Sequence, residues 1–312
     1  MPGEDEGEHR KGGNQPVSEA SVAAPEQGLG RGLAVEDVSV SFGGLRALDG
    51  VSITVDRGEV VGLIGPNGAG KTTLFNVVCG FVRPVAGRLA FDGRPLGRHR
   101  SQDLVKLGIA RTLQGVGLWK GLSVVENVMA GAQPLVRAGL LSAFLGLWRS
   151  SREEARLRQK ALELLERLGI EGWAGRLPDA LPYAVRKQTA LARALMARPS
   201  LLLLDEPAGG LSEADLVDLR SLLAELRADM GVLLVEHHMD FVMSVCDRLV
   251  VLDFGRVISS GSPSEVQSDP AVTTAYLGET VAPGRSRQMG NSPGLTEIGE
   301  AGGSLEEGRA RG

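Results

Sequence analysis

The sequence predicts an α/β fold built around a parallel sheet. Three continuous apolar runs of strand length support this prediction: EVVGLIG from Glu59, LLLLD from Leu201 and GVLLVEH from Gly231. Such uninterrupted runs are typical of strands that helices cover on both faces, as in parallel sheets. With 312 residues, of which 43% are hydrophobic, the chain is long enough to bury one large core.

Elsewhere along the chain the apolar pattern changes. LAVEDVSVSF, from Leu33, alternates apolar and polar residues, and GVSITVDRG, from Gly50, does so again, which predicts half-buried strands paired antiparallel. The segment EEARLRQKALELLERL has apolar residues at helical spacing: Ala155, Leu157, Ala161, Leu162, Leu164, Leu165 and Leu168. We therefore expect an antiparallel β subdomain, and a helical subdomain at about residues 115–190 inserted between core strands.

The two ends of the chain differ from its middle in composition. Residues 1–32 and 279–312 are rich in Gly, Glu, Pro and Ser, which predicts disordered tails on either side of a domain at 33–278. The acidic start MPGEDEGEHR lacks the basic residues and apolar run of a signal peptide. The segment AGLLSAFLGLW, from Ala138, is shorter than the ~18 apolar residues of a membrane span. We expect a chain that is not secreted and does not itself span a membrane.

Charge and cysteine content exclude further classes of protein. The formal charge of -4 and the pI near 5.7, without a basic block, argue against a nucleic-acid partner, because phosphate binding needs clustered Lys and Arg. Cys79 and Cys246 are far apart in apolar contexts, so core packing is expected rather than a disulfide or a metal site.

The motif GPNGAGKTT follows the first apolar run directly. It satisfies G-x-x-x-x-G-K-[ST], whose glycines let backbone N–H groups wrap a phosphate while the next helix presents its positive N-terminus. Lys71 would neutralise the β- and γ-phosphates, and the Thr72 hydroxyl would ligate Mg²⁺. A Gly-rich turn is the alternative, but lysine is scarce in this chain and one stands at the required place. The predicted nucleotide loop is Gly65, Pro66, Asn67, Gly68, Ala69, Gly70, Lys71, Thr72 and Thr73.

The second and third apolar runs end in polar residues. Asp205 and Glu206 form an acidic pair at a buried strand end, where Asp205 suits Mg²⁺ and Glu206 could polarise an attacking water. The alternative is a solvated acidic turn that caps the next helix. Glu236, His237 and His238 end the third run, at the edge where an open α/β sheet binds its ligand, so His237 could hydrogen-bond the γ-phosphate. His238 is expected to be solvated, and His9 and His99 to lie on the surface.

In this order the motifs resemble the ATP-binding cassette (ABC) ATPases, over about residues 33–278. The resemblance implies a P-loop NTPase (RecA-like) core that binds ATP and Mg²⁺ and hydrolyses ATP. It implies that Phe42 stacks on adenine, that Gln114 senses Mg²⁺, belongs to the catalytic site and touches the membrane partner, and that His237 acts as a switch. GGLS after the acidic pair corresponds to the family's D-loop.

The segment LPYAV stands at the position of the family signature, which contacts ATP held by the opposite subunit. The corresponding residues are Leu181, Pro182, Tyr183, Ala184 and Val185. The family pattern has a small hydroxyl residue, a glycine and a glutamine where this chain has Pro182, Ala184 and Val185. A weakened site for the partner's ATP is therefore expected, and with it an asymmetric heterodimer.

Further segments are similar to the branched-chain amino-acid importer branch of the family, among them SFGGLRALDGVS, GIARTLQ, LSVVENVMAG and DPAVTTAYLG. That branch implies a second, non-identical ATPase subunit, membrane permease subunits, an extracytoplasmic solute-binding protein, and a cytoplasmic location on the inner face of the membrane. The segment AGLLSAFLGLWRSSREE resembles an extension in this branch, either core of the helical subdomain or a membrane-surface element.

Other functions remain open at this stage. A soluble cassette protein that remodels ribosomes or DNA ends usually resembles a tandem cassette or carries a long coiled coil, and this chain has neither. A P-loop kinase would need neither the signature nor the switch histidine. A lipopolysaccharide-export ATPase is a close cousin by sequence. The solute, whether leucine, urea, an amide or another small molecule, is not distinguishable from the sequence.

Overall fold

Ten strands lie in the part of the chain that the computed structural model describes, residues 32–97, 99–112, 116–135 and 148–280. Gln114, nearly all of the two predicted tails and most of the apolar segment from Ala138 lie outside these residues. In chain order the strands are β1 (Gly32–Phe42), β2 (Leu45–Asp56), β3 (Val60–Ile64), β4 (Ala86–Phe91), β5 (Arg94–Pro95), β6 (Ile109–Arg111), β7 (Leu201–Asp205), β8 (Gly231–Val235), β9 (Arg248–Asp253) and β10 (Arg256–Gly261).

The strands form two sheets. The four-stranded sheet has the order β2-β1-β4-β5, and its pairs are antiparallel, as the alternating patterns predict. The six-stranded sheet has the order β10-β9-β3-β8-β7-β6, and its pairs are parallel except for β10 with β9. The three apolar runs form β3, β7 and β8, so the predicted parallel core is confirmed.

The described helices are α1 (Lys71–Val78), α2 (Val124–Met129), α3 (Trp148–Arg167), α4 (Tyr183–Leu195), α5 (Glu213–Leu226), α6 (Met239–Val245), α7 (Pro263–Ser268) and α8 (Pro270–Thr280). Helices α2, α3 and α4 lie in the chain between β6 and β7. Within these described helices, no segment is long and apolar enough to cross a membrane.

Alternate residues of the parallel strands face two different cores. In the first core, Val60 and Ile64 of β3 pack with α2 to α6. In the second core, Val61 and Leu63 of β3 pack with α1 and the antiparallel sheet. Burial on both faces explains why these strands are apolar throughout. On α3, Ala161 and Leu165 are fully buried in the first core.

Individual side chains test the sequence expectations. Cys79 and Cys246 are free and buried, as expected, and burial raises the pKa of the Cys246 thiol to about 12. His99, expected at the surface, is partly exposed, and its Nε2 lies 3.0 Å from the carbonyl oxygen of Val78, while its backbone lies close to Gly80. His99 therefore packs against the end of α1.

Candidate functional site

The phosphate loop connects β3 to α1. Gly65, Gly68 and Gly70 all have positive φ, at 145°, 80° and 105°, a region that residues with a Cβ rarely adopt. No side chain caps the N-terminus of α1, and the positive end of its helix dipole faces the loop, which favours an anion there. The Lys71 ammonium donates to the carbonyl oxygens of Gly65 and Pro66 and so lies against the loop.

The strand ends bring the motifs to one edge of the parallel sheet. Leu63 on β3 is level with Val235 on β8, which in turn is level with Asp205 on β7. Because neighbouring strands are about 4.8 Å apart, Asp205 lies roughly two strand spacings, about 10 Å, from the start of the phosphate loop. A nucleoside triphosphate held by the loop would extend along this edge.

Asp205 and Glu206 differ in environment. Burial raises the pKa of Asp205, and the neighbouring Glu206 carboxylate raises it further, while Arg111 partly offsets both. Glu206 is half-exposed and has φ of 49°, which is unusual for a residue with a side chain. Its N–H still donates to the carbonyl oxygen of Val235, and its positive φ turns the chain away from the strand as β7 ends.

These side chains suit Mg²⁺. The Thr72 hydroxyl is exposed at the start of α1, and hydroxyl and carboxylate oxygens are the hard ligands that Mg²⁺ prefers. Burial disfavours the anionic form of Asp205, as its raised pKa shows, and a bound cation would offset that cost. The donor set therefore fits the ion that the motif implies.

His237 and Glu236 follow β8 at the same edge. The His237 side chain is 66% exposed, and its Nδ1 lies 3.8 Å from Glu206 Oε1 and 3.8 Å from Glu236 Oε2. Glu236 is 1% exposed and accepts N–H groups from Ala208, His237 and His238 at 2.7, 2.9 and 3.1 Å. A buried carboxylate that is satisfied in this way fixes the backbone that carries His237.

Sequence reasoning assigned no role to Glu236 or to Lys187. Lys187 Nζ donates to the carbonyl oxygens of Glu206, Pro207 and Gly209, at 2.8, 2.9 and 2.6 Å. For Glu236 the signal in the sequence was a carboxylate directly after a buried strand. For Lys187 no pattern was available, since its contacts depend on how α4 packs against the end of β7.

The signature segment forms the N-terminus of α4. Leu181 and Val185 are buried in the first core, whereas Pro182 and Tyr183 are exposed and Ala184 is half-buried. Pro182 occupies the N-cap position, and no side chain caps the helix. With the Val185 side chain at 8% exposure, this end of α4 presents Pro182, Tyr183 and the Ala184 methyl to the outside.

The structure describes one of the two remaining expected nucleotide contacts, Phe42. Phe42 ends β1 and is 51% exposed, as a ring that stacks on a base must be. Gln114 lies outside the described residues, but Thr112 shows where the preceding chain runs. The Thr112 hydroxyl accepts the N–H of Asp205 at 3.4 Å, so the chain that follows β6 begins at the same edge of the sheet.

A family model described as "ABC transporter" matches residues 48–209. The chain belongs to the ABC transporter family and is an ATPase subunit. A second model, described as "Branched-chain amino acid ATP-binding cassette transporter", matches residues 256–282. ATPase subunits of this family work with membrane permease components.

Individual relatives match nearly their whole length. The chain is 37% identical over 249 residues to the high-affinity branched-chain amino acid transport ATP-binding protein LivG of Salmonella typhimurium, covering 79% of this chain and 98% of that protein. It is 34% identical over 248 residues to the lipopolysaccharide export system ATP-binding protein LptB of Haemophilus influenzae, covering 79% and 97%. The crystal structure of the ADP conformation of an ATP-binding cassette of an ABC transporter aligns with a TM-score of 0.68 at 33% identity, covering 79% and 98%.

Proposed function

We propose that this ATPase hydrolyses MgATP at the sheet edge to drive import of branched-chain amino acids, or related small solutes, through separate membrane permeases. The observation that carries the proposal for the site is the register that aligns Leu63, Val235 and Asp205. Because of it, the phosphate loop, the Asp–Glu pair and His237 share one edge of the sheet.

In this proposal each group has a separate task. Lys71 and the loop N–H groups hold the β- and γ-phosphates, and Phe42 stacks on the adenine. Thr72, Asp205 and Gln114 hold Mg²⁺, which when bound shields the phosphate charge. Glu206 orients the attacking water and accepts its proton, and His237 hydrogen-bonds the γ-phosphate from the neighbouring strand end.

Two comparisons support branched-chain amino acids as the solute class. The similarity to LivG spans the whole cassette, and the branched-chain family model matches the C-terminal segment from Arg256 onward. Lipopolysaccharide export is a weaker alternative, since the match to LptB has lower identity. Uptake of labelled leucine, with urea and an amide as competitors, would test the solute in cells that carry the transporter.

The proposed assembly contains a second, non-identical ATPase subunit, membrane permeases, and an extracytoplasmic solute-binding protein that acts through them. It places this chain on the cytoplasmic face of the membrane. The departures at Pro182 and Ala184 support two different ATPase subunits, because a partner with an intact signature would complete the site on this chain. Mass measurement of the purified complex tests the assembly, and two copies of this chain alone would contradict it.

Glu206→Gln tests the catalytic assignment. The variant should bind ATP normally and lose nearly all turnover at this chain's site, because the amide keeps the shape of the side chain but does not accept a proton. Lys71→Ala should instead weaken ATP binding, since the phosphate charge loses its cation. Nucleotide affinity and steady-state hydrolysis are measured in the assembled transporter.

Glu166→Gln is the matched control, since Glu166 is an exposed glutamate on α3 away from the sheet edge. It should leave both affinity and turnover unchanged. Normal hydrolysis by Glu206→Gln at this chain's site would show that another group activates the water.

A further inference from the structure

The turn that carries Glu206 is held in a strained conformation. Glu206 has φ of 49°, and a non-glycine residue keeps this unfavourable conformation only where the surrounding structure enforces it. On the sheet side, the buried Glu236 carboxylate accepts the N–H of Ala208 at 2.7 Å. The Val235 carbonyl oxygen accepts the N–H of Glu206 at 2.8 Å. Two N–H groups of the turn are therefore bound by Val235, the last residue of β8, and by Glu236, which follows it.

The carbonyl groups of the same turn are fixed from the opposite direction. An ammonium has three N–H donors, and Lys187 has hydrogen bonds to three carbonyl oxygens of this one turn, those of Glu206, Pro207 and Gly209. Hydrogen bonds from a charged donor are stronger than neutral ones. Lys187 and Glu236 thus form a two-sided clamp: Lys187 holds the carbonyl groups of Glu206, Pro207 and Gly209, and Glu236 holds the N–H of Ala208.

Lys187 connects this turn to a different element. It lies in the second turn of α4, the helix whose N-terminus is the signature segment. The Tyr183 ring packs over the ammonium, with Nζ 5.4 Å from the ring centroid, and also leaves no room for a Cβ on Gly210. Lys187 and the turn that it contacts also line a cavity of about 620 Å³, whose other walls include residues of α4 and α5.

Two carboxylates lie near the Lys187 ammonium. Partial burial lowers the pKa of Lys187, and the negative charges of Glu236 and Glu206 offset part of that shift by favouring the charged form. The lysine therefore compensates two carboxylates that lie near a phosphate site without pairing directly with either. A neutral side chain of the same length would leave three carbonyl oxygens and one buried carboxylate less well satisfied.

We propose that Lys187 is a positioning residue for ATP hydrolysis, which couples α4 to the catalytic turn of the same chain. Any shift of α4 relative to the sheet is transmitted by the ammonium to the three carbonyl groups that it binds in this turn, and so to the direction of the Glu206 carboxylate. This inference rests on the proposed catalytic role of Glu206. Lys187 itself acts through the backbone and touches no phosphate.

Lys187→Met in the full chain, assembled with its transporter, tests the coupling. Methionine keeps most of the length and apolar volume of the side chain and removes the charge and the donors. We expect kcat at this chain's site to fall by about tenfold or more, and the dissociation constant for MgATP to stay within about twofold of the wild type. Lys160→Met, an exposed lysine on α3, is the matched control and should change neither value.

Hydrogen–deuterium exchange of the full chain supplies a readout that does not depend on activity. Peptides that cover residues 206–212 should exchange faster in Lys187→Met than in the wild type or Lys160→Met. Unchanged exchange with unchanged kcat would overturn the inference, as would parallel losses of kcat, MgATP affinity and thermal midpoint, which indicate a general folding defect. Faster exchange in Lys187→Met together with normal hydrolysis by Glu206→Gln would instead retain the clamp and reject the catalytic role of Glu206.

Discussion

Gly65 marks the point where the core strand β3 becomes the phosphate loop. Its φ is 145°, and a Cβ added there would lie 2.0 Å from the carbonyl oxygen of Leu252, a backbone atom of β9. Gly68, three residues further along the loop, has φ of 80° and open space at the corresponding position. Both glycines need a positive φ, but of this pair only Gly65 also lies too close to other atoms to accept a Cβ.

Gly65→Ala should therefore destabilise the protein more than Gly68→Ala does. Gly68→Ala should cost about 1–2 kcal/mol, the penalty of a left-handed conformation for a residue with a Cβ. Gly65→Ala adds a clash with backbone that is fixed in a sheet, so its loss should be larger. Urea unfolding without nucleotide measures both free energies, and equal losses would show that β9 moves away to make room for the methyl.

Residues whose chemistry follows from local motif spacing could be predicted from the sequence. Asp205, Glu206 and His237 stand at the ends of apolar runs. Because the carboxyl ends of parallel strands meet at one edge of a sheet, the sequence predicts that these residues lie together. Lys187 and His99 could not be placed this way, because their partners belong to segments distant in sequence. Only the packing of α4 and α1 brings the ammonium and the imidazole to those carbonyl groups.

Helix α5 begins where the turn after β7 ends. Ser212 is its N-cap, with Oγ accepting the N–H of Asp215 at 3.3 Å, and the Asp215 carboxylate in turn accepts the N–H of Ser212 at 3.0 Å. This reciprocal pair satisfies two N–H groups that the helix itself leaves unpaired. The hydrogen bond from the Ser212 hydroxyl lowers the pKa of Asp215.

Ser212→Ala should reduce the free energy of unfolding by about 1 kcal/mol at neutral pH. Because the folded-state pKa of Asp215 is lowered, its contribution is fully present above the unfolded value of about 3.9 and is lost as the pH falls through the folded value. The difference between wild type and variant should therefore shrink below about pH 4. Denaturant unfolding across this range measures it.

Ser262→Ala is the matched control, because Ser262 caps α7 with the same reciprocal pattern and lies outside the proposed site. It should lower stability comparably and leave ATP turnover unchanged. A pH-independent difference for Ser212→Ala would show that Asp215 does not contribute through this cap.

The helical type of α3 could be predicted from its apolar pattern, but the exposure of its residues could not. The helix predicted from Glu153 to Leu168 is present as α3, with Leu165 buried. Ala155, which has the same periodicity, is exposed, since this part of the helix is not covered by the first core. Periodicity defines a face of a helix, whereas the neighbouring elements decide how much of that face is buried.

At the scale of the whole molecule, the six-stranded sheet separates the two cores and supports both halves of the proposed site. One edge of this sheet holds the groups that are proposed to bind this chain's own ATP. On the other side of the catalytic turn lies α4, whose N-terminus stands where the family's signature contacts the ATP of the opposite subunit. Pro182 has no N–H to offer an anion, and the Ala184 methyl hinders close approach of a phosphate. Each lost hydrogen bond to a charged oxygen costs roughly 1.5–3 kcal/mol, so ATP on the partner should turn over on the order of a hundredfold more slowly.

Restoring the signature should speed up hydrolysis on the partner subunit alone. The structure decides which positions to restore: Val185 is buried in the first core, so a glutamine there would bury an amide, whereas Pro182 is exposed and Ala184 is half-buried. The variant Pro182→Ser with Ala184→Gly supplies an N–H and a capping hydroxyl and removes the methyl.

This double variant is measured in the heterodimer with Glu206→Gln also present, which silences this chain's own site and leaves the partner's turnover visible. A rise of about tenfold or more is expected from one regained hydrogen bond to phosphate. No rise in that background, or a homodimer of this chain with two equally fast sites, would contradict the asymmetry.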